Sequence, residues 1–170
     1  MATVTLKGNE CNLAGNEINV GDNAPEVKVV KSDDLSEVTV GGAKDKAQLI
    51  IAVPSLDTEV CAMETTKFNN KAADIDGLEV TVVSMDLPFA AKRFCSTAGI
   101  DNLTVGSDFR NKDFAEAYGV LIADGPLAGV TARCIFVVGK DGKVAYKQLV
   151  REITDEPDYD EALEAAKAAA

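Results

Sequence analysis

Residues 53–61 read VPSLDTEVC and mark a change from strand to helix. The apolar run from Leu49 to Val53 predicts a buried strand, and Pro54 ends it because proline has no N–H to donate to a sheet. The next residues include serine, aspartate and threonine, which are side chains that cap helices. A helical pattern then begins, so Cys61 is predicted to lie in the first turn or so of a helix, just past a strand.

The helix predicted around Cys61 has one face that repeats at spacings of four and three residues. The side chains on that face are Cys61, Thr65, Phe68, Ala72 and Ile75. We expect this helix to end near Asp76-Gly77.

This position gives the Cys61 sulfur a chemical role. Free N–H groups and the positive end of the helix dipole favour an anion at a helix start, so a thiol there tends toward the thiolate. Thr58 lies one turn earlier, which brings its hydroxyl within reach of the sulfur or of a bound oxygen. The acidic neighbours Asp57, Glu59 and Glu64 oppose ionisation, but a solvated charge about 7 Å away costs only about 0.6 kcal/mol. From position alone, the alternative is a buried cysteine that packs as a small apolar side chain.

The chain has 170 residues, 46% of them apolar, and a net charge of −11 from 17 basic and 28 acidic side chains. This length predicts one domain over residues 1–170 with a sizeable core. An acidic surface repels nucleic acid and anionic membranes, so neither is an expected partner. Residues 1–20 show no apolar segment of signal-peptide length, and no run reaches the ~18 apolar residues of a membrane span. We therefore expect a cytoplasmic protein.

Histidine is absent from the sequence, which excludes the usual Cys–His and Ser–His catalysis, most catalytic zinc sites and histidine-bound haem. Cysteines stand at positions 11, 61, 95 and 134, and no two form a Cys-x-x-Cys pair. Gly41-Gly42 is followed by Ala43-Lys44, which is not a phosphate-binding loop. We expect neither a metal nor a cofactor.

The order of predicted elements favours an α/β fold, with helices on the faces of a sheet. Residues 2–20 predict a β-hairpin that begins with Thr3 to Leu6 and closes with Ile18 to Val20. Further strands are predicted at 27–30, 37–40, 78–84, 103–105, 133–138 and 144–150, helices at 86–98, 111–118 and 160–170, and a loop at 120–130. Reactive groups in such folds gather beyond the carboxyl ends of strands, and Cys61 lies at such an end.

Several motifs resemble one known family. Pro54, Thr58 and Cys61 stand at the Pro-x-x-x-Thr-x-x-Cys spacing of peroxiredoxins. Further strings resemble the thiol peroxidase subfamily, the atypical two-cysteine peroxiredoxins: KFN at 67–69, DLPFA at 86–90, RFC at 93–95, YGV at 118–120, DGPL at 124–127 and EIT at 152–154. The resemblance covers most of the chain, including the N-terminal hairpin.

The resemblance implies a thioredoxin-like fold, a central mixed sheet flanked by helices, with an added N-terminal β-hairpin, usually as a homodimer. It also implies reduction of hydroperoxides, organic ones preferred, with thioredoxin as electron donor. Cys61 is then the peroxidatic cysteine and Cys95 the resolving one, and they form a disulfide within one chain. Pro54 and Thr58 line the pocket, and Arg133 pairs with the thiolate and the peroxide oxygens.

Both cysteines of the implied disulfide lie in predicted helices on separate elements. A disulfide needs Cα atoms within roughly 7 Å. We expect the reduced form to hold Cys61 and Cys95 farther apart, so that the first turn around Cys61 and the helix around Cys95 unwind to meet.

Several of these residues also have simpler interpretations. Cys95 could be a buried helix residue beside Phe94, and Arg133 a strand-end arginine capped by water. Cys134 points to the opposite face from Arg133 and is predicted to pack in the core. Cys11 is predicted to be an incidental exposed thiol in the hairpin.

Leu56, Phe89 and Leu127 could line an apolar pocket that favours alkyl hydroperoxides, with ordinary core positions as the alternative. Met63 and Glu64 stand where smaller residues are common in the family, which predicts local packing differences only. Two other functions compete with the enzyme. One is a peroxide sensor that passes its disulfide to a partner protein, and the other is a structural protein with fixed crosslinks, which widely separated cysteines disfavour.

Overall fold

A computed structural model describes residues 2–72 and 74–170 of the chain. In these ranges the elements follow in the order β1 (Thr3–Leu6), β2 (Asn9–Ala14), β3 (Val27–Lys31), β4 (Glu37–Val40), β5 (Ala47–Ala52), α1 (Glu59–Lys71), β6 (Leu78–Ser84), α2 (Pro88–Ala98), β7 (Thr104–Ser107), α3 (Asp113–Ala117), β8 (Leu121–Ile122), β9 (Cys134–Val138), β10 (Val144–Leu149) and α4 (Tyr159–Ala169).

Seven strands form a mixed sheet in the order β10-β9-β5-β6-β7-β3-β4. The pairs β5–β6 and β6–β7 are parallel, whereas the other pairs are antiparallel. The central strand β5 is buried along its whole length because it has a strand on each side and core on each face. The predicted α/β architecture, a mixed sheet flanked by helices, is therefore confirmed.

The two faces of the sheet carry separate core layers. Alternate residues of β5 divide between them, because successive side chains of a strand point to opposite faces. Leu49 and Ile51 pack in the layer that includes α1, α2 and α4, whereas Ile50 and Ala52 pack in the layer that includes α3 and the N-terminal hairpin. Cys61 belongs to the first layer, which we call the α1 layer.

The carboxyl ends of β5, β6 and β7 meet at one edge of the sheet, where Asp86 ties the following loops together. Its carboxylate accepts hydrogen bonds from Ser55 Oγ at 2.6 Å, Leu56 N–H at 2.7 Å and Ser84 Oγ at 2.8 Å. Ser107, the last residue of β7, donates to the Asp86 carbonyl. These bonds hold the loop before α1 against the turn that begins α2.

The N-terminal hairpin is present, but the second strand predicted for it is wrong. β2 begins at Asn9, directly after a turn in which Lys7 and Gly8 have φ values of 51° and 84°. Positive φ at both central residues suits a two-residue hairpin turn, so pairing resumes at once instead of at 18–20. The predicted loop at 120–130 contains β8, which pairs with β2.

The prediction for the end of α1 is wrong by about one turn. The helix ends at Lys71. Ile75 lies in the turn that follows, where its N–H donates to the Ala72 carbonyl at 3.1 Å, and its side chain packs against the α1 layer. Gly77 has a φ of 79°, a left-handed conformation that lets the chain reverse into β6. The strand predicted at 103–105 and the helix predicted at 111–118 lie at 104–107 and 113–117.

Candidate active site

Cys61 lies in the first turn of α1 and is fully buried, with 0% of its surface exposed. Thr58 is the N-cap residue, and its carbonyl accepts the first helical hydrogen bond from Ala62 N–H at 2.9 Å. The predicted placement of Cys61, at a helix start beyond the carboxyl end of a strand, is confirmed. Burial at a helix start brings the sulfur near oriented backbone N–H groups and keeps bulk water away.

The Thr58 hydroxyl has a different partner from the one expected. It donates to the Ser55 carbonyl at 2.9 Å, across the loop that joins β5 to α1. Pro54 and Leu56 of this loop are buried, whereas Thr58 is exposed. The hydroxyl therefore stabilises the loop in this structure, and its contact with a peroxide oxygen stays a prediction.

Arg133 brings a positive charge to Cys61. It lies just before β9, only 2% exposed, and its Nη1 donates to Cys61 Sγ at 3.1 Å. The Ile153 carbonyl accepts from the other edge of the guanidinium, from Nε at 3.1 Å and from Nη2 at 2.8 Å. The alternative of a strand-end arginine capped by water is therefore wrong.

Glu64 is part of this cluster, a contact that the sequence does not predict. Its Oε2 accepts a hydrogen bond from Arg133 Nη1 at 2.8 Å, and its side chain is 0% exposed. In the described part of the chain nothing donates to its other oxygen, Oε1. The signal was the spacing of three residues from Cys61, which places both on one face of the helix.

One guanidinium therefore faces two acidic groups. Burial raises the pKa of Glu64 to about 7, although the charge of Arg133 opposes this rise. Burial would lower the pKa of Arg133, but the charges of Cys61 and Glu64 outweigh it and the pKa is raised. A protonated Glu64 carries no charge, so Cys61 is then the one of these two groups that can form an ion pair with Arg133.

Cys95 lies on α2, in a different environment from Cys61. It is half-buried, and it lines an open cavity of about 1350 Å³ together with Ser32 and Lys92. Burial raises the pKa of its thiol, against the effect of a hydrogen bond with Ser32. All four cysteines fall within the described ranges and are free thiols.

The other two cysteines are core residues. Cys134 is fully buried in the core, as predicted, and lies on the face of the sheet opposite to Cys61; burial raises the pKa of its thiol to about 12. The prediction of an exposed Cys11 is wrong, because this side chain is 2% exposed. It packs inward from β2 together with Leu13, two positions along the strand.

The three side chains predicted to line an apolar pocket lie in three different places in the chain. Leu56 packs in the α1 layer, Leu127 packs against the opposite layer, and Phe89 is 68% exposed. A pocket formed by these side chains stays a prediction.

No group of three or more potential metal ligands occurs in residues 2–72 and 74–170. The helices described there are all too short or too polar to cross a membrane.

Comparison with known proteins identifies relatives of the whole chain. A family model described as Redoxin matches residues 19–163. A thiol peroxidase of Aquifex aeolicus is 59% identical over 165 residues, which cover 97% of this chain and 96% of that protein. A thiol peroxidase of Campylobacter jejuni is 57% identical over 158 residues, which cover 93% of this chain and 89% of that protein.

One solved structure extends this similarity to the fold. A peroxiredoxin-like protein from Aquifex aeolicus superimposes with a TM-score of 0.96 at 58% identity, over 100% of this chain and 98% of that one.

Proposed function

Because the chain belongs to the redoxin family, and within it to the thiol peroxidases, we propose that it reduces hydroperoxides through Cys61 and Cys95, with thioredoxin as the reductant. Membership makes the protein a peroxiredoxin-type oxidoreductase with thiol-dependent peroxidase activity. The observation that carries the proposal is the 3.1 Å contact between Arg133 Nη1 and Cys61 Sγ in a fully buried site.

The first step is attack of the Cys61 thiolate on the terminal oxygen of a hydroperoxide. The S–O bond forms as the O–O bond breaks, and the displaced oxygen leaves as water or an alcohol after taking up a proton. Arg133 and the backbone N–H groups at the start of α1 are the donors that oppose the negative charge as it moves from sulfur to the leaving oxygen. The product on Cys61 is a sulfenic acid.

The second step joins the two cysteines. The Cys95 sulfur attacks the sulfenic sulfur, an S–S bond forms, and water leaves. The dithiol of thioredoxin then reduces this disulfide by exchange, which restores both thiols. Partial exposure of Cys95 supports its assignment as the thiol that reacts with the Cys61 sulfenic acid and takes part in exchange with thioredoxin, whereas Cys11 and Cys134 are buried.

A homodimer is part of the proposal. Leu87 and Phe89 follow β6, Phe109 follows β7, and these strands are parallel neighbours whose carboxyl ends share one edge. The three side chains are 52%, 68% and 37% exposed. Large apolar side chains exposed beyond the ends of two neighbouring strands suit an interface with a second copy of the chain. The preference for alkyl hydroperoxides and the cytoplasmic location also stay predictions.

Hydroperoxide consumption by the wild type, Cys61→Ser and Cys95→Ser tests the proposal, with either thioredoxin and its reductase or dithiothreitol as reductant. Cys61→Ser should be inactive, whereas Cys95→Ser should keep the first reduction and lose cycling with thioredoxin. Cys134→Ala, a change in a cysteine on the other face of the sheet, should cycle like the wild type. Activity in Cys61→Ser, or full thioredoxin-linked cycling in Cys95→Ser, would refute the assignment.

A further inference from the structure

The direction of the Arg133 side chain depends on one backbone carbonyl. Ile153 O accepts both Nε at 3.1 Å and Nη2 at 2.8 Å, while Nη1 reaches Cys61 and Glu64. A guanidinium is planar and rigid, so fixing one edge fixes where the other edge points. The position of Ile153 O, together with the ion pair of Nη1 with Glu64, therefore sets the distance between Arg133 and the sulfur.

The segment that carries this carbonyl is held by the N-terminal hairpin. Thr5 N–H donates to Arg151 O at 2.7 Å, and Ile153 N–H donates to Thr5 O at 2.9 Å. The segment thus pairs with β1 on both sides of Glu152. The hairpin lies more than 100 residues away in sequence, so this support is wholly tertiary.

The carboxylate of Glu152 connects the hairpin and the segment a second time. Its Oε1 accepts from Thr5 Oγ1 at 3.0 Å and from Gly8 N–H at 2.9 Å. Its Oε2 accepts from Thr154 N–H at 3.1 Å and Thr154 Oγ1 at 2.9 Å. The N–H groups of Gly8 and Thr154 lower the pKa of Glu152 to about 2, so the carboxylate is charged at any physiological pH.

We infer that Glu152 is a positioning residue, through which the N-terminal hairpin fixes the Ile153 carbonyl and so directs Arg133 at Cys61. This inference rests on the proposed function. It gives the added hairpin a role in reactivity, because the bonds run without a break from Gly8 and Thr5 to the reacting sulfur. The effect is expected to be moderate, since the backbone pairing of Thr5 survives when the carboxylate is removed.

Asp124 supplies a matched control for Glu152. Its carboxylate also binds the hairpin through a backbone N–H and a side chain, those of Asn12, at 2.9 Å and 2.8 Å. Hydrogen bonds also lower the pKa of Asp124, with the Asn12 side chain contributing most. None of its hydrogen bonds in the described part of the chain reaches segment 151–154. Asp124→Asn therefore weakens the hairpin without touching the path to Arg133.

The test compares Glu152→Gln and Asp124→Asn in a Cys95→Ser background. Two rates are measured for Cys61: oxidation by hydrogen peroxide, and alkylation by iodoacetamide across pH, with the modified residue identified by mass spectrometry. Glu152→Gln should slow oxidation about 3- to 10-fold, less than the ~100-fold loss that a 1 Å misplacement can cause. Its alkylation profile should shift to higher pH. Asp124→Asn should stay within about twofold of the parent in both rates.

Thr5→Val serves as a second variant should Glu152→Gln fold poorly, as judged by melting temperature. It removes one bond to Glu152 and keeps the backbone pairing, so a smaller change in the same direction is expected. Equal behaviour of Glu152→Gln and Asp124→Asn, whether both unchanged or both slowed, would overturn the inference. If the parent is not oxidised by hydrogen peroxide, the proposed function fails, yet the alkylation profiles still decide the role of Glu152.

Discussion

Arg133 Nη1 lies 3.1 Å from Cys61 Sγ, although 72 residues separate them in the chain. Cys61 is held at the start of α1, and Arg133 lies just before β9, the antiparallel neighbour of β5. The sheet therefore brings the end of β5 close to the beginning of its neighbour β9. The proposed reactivity of Cys61 rests on this contact between a buried cation and the sulfur.

Arg133→Lys tests whether charge alone is sufficient. A lysine keeps the positive charge but has one nitrogen, which cannot reach the Ile153 carbonyl, Cys61 and Glu64 as the planar guanidinium does. We expect the second-order rate of Cys61 oxidation to fall by at least about 100-fold, the typical cost of losing one aligned donor. Stopped-flow kinetics with hydrogen peroxide measures this rate. Arg151→Lys, at an exposed position, should stay within about twofold, and equal rates for the two variants would contradict the role of Arg133.

Glu64→Gln tests the pH dependence of stability. The pKa of Glu64 is about 7 in the folded protein, above the ordinary value of 4.5. Between about pH 4.5 and pH 7 the unfolded chain releases this proton while the folded protein keeps it, so the contribution of Glu64 to wild-type stability falls as pH rises. Glutamine cannot ionise. The free energy of unfolding of Glu64→Gln should therefore rise relative to that of the wild type as the pH increases across this window, by up to about 3 kcal/mol.

The same variant removes a competitor for Arg133. Without the Glu64 charge, the alkylation profile of Cys61 should shift to lower pH. Glu164→Gln, on the exposed side of α4, should change neither the stability profile nor the alkylation profile. A constant difference in unfolding free energy between Glu64→Gln and the wild type from pH 4.5 to pH 8 would contradict the raised pKa.

The sequence predicts the elements that carry the cysteines because their local signals are strong. An uninterrupted apolar run predicts β5. Proline at the first helical position predicts the start of α2, and Gly99, which has a φ of 70°, predicts its end. The proximity of Arg133 to Cys61 has no local signal. It is a consequence of strand order, and only the resemblance to peroxiredoxins indicated it.

Two errors have different physical origins. The predicted exposure of Cys11 is wrong because strand alternation from Asn9 turns Cys11 and Leu13 inward. The expectation of a solvated charge at Glu64 is wrong, since the arginine that allows its burial lies just before β9, far away in the chain. Buried charges depend on partners that sequence spacing alone does not reveal.

Oxidation should unwind the two helices that carry the cysteines. Both are fully formed while the thiols are free, and the Cys95 carbonyl accepts from Ile100 N–H at 2.9 Å as α2 ends. One equivalent of hydroperoxide should raise deuterium uptake in peptides covering 59–65 and 92–98, because a disulfide requires the Cα atoms to come within about 7 Å. Residues 159–169 in α4 serve as the internal control. An intact Cys61–Cys95 disulfide with unchanged uptake would contradict unwinding.

Phe89→Asp should convert a homodimer into a monomer. Phe89 is 68% exposed and lies with Leu87 at the start of α2, so a second copy packed on this edge would bury both side chains. An aspartate there would place an unpaired charge in an apolar interface, which costs several kcal/mol of association free energy, on the order of 3 or more. Sedimentation velocity measures the change. Val20→Asp alters another exposed apolar side chain, 61% exposed in the segment after the hairpin, and should leave the oligomeric state unchanged. A dimer that withstands Phe89→Asp and dissociates in Val20→Asp would locate the interface away from α2.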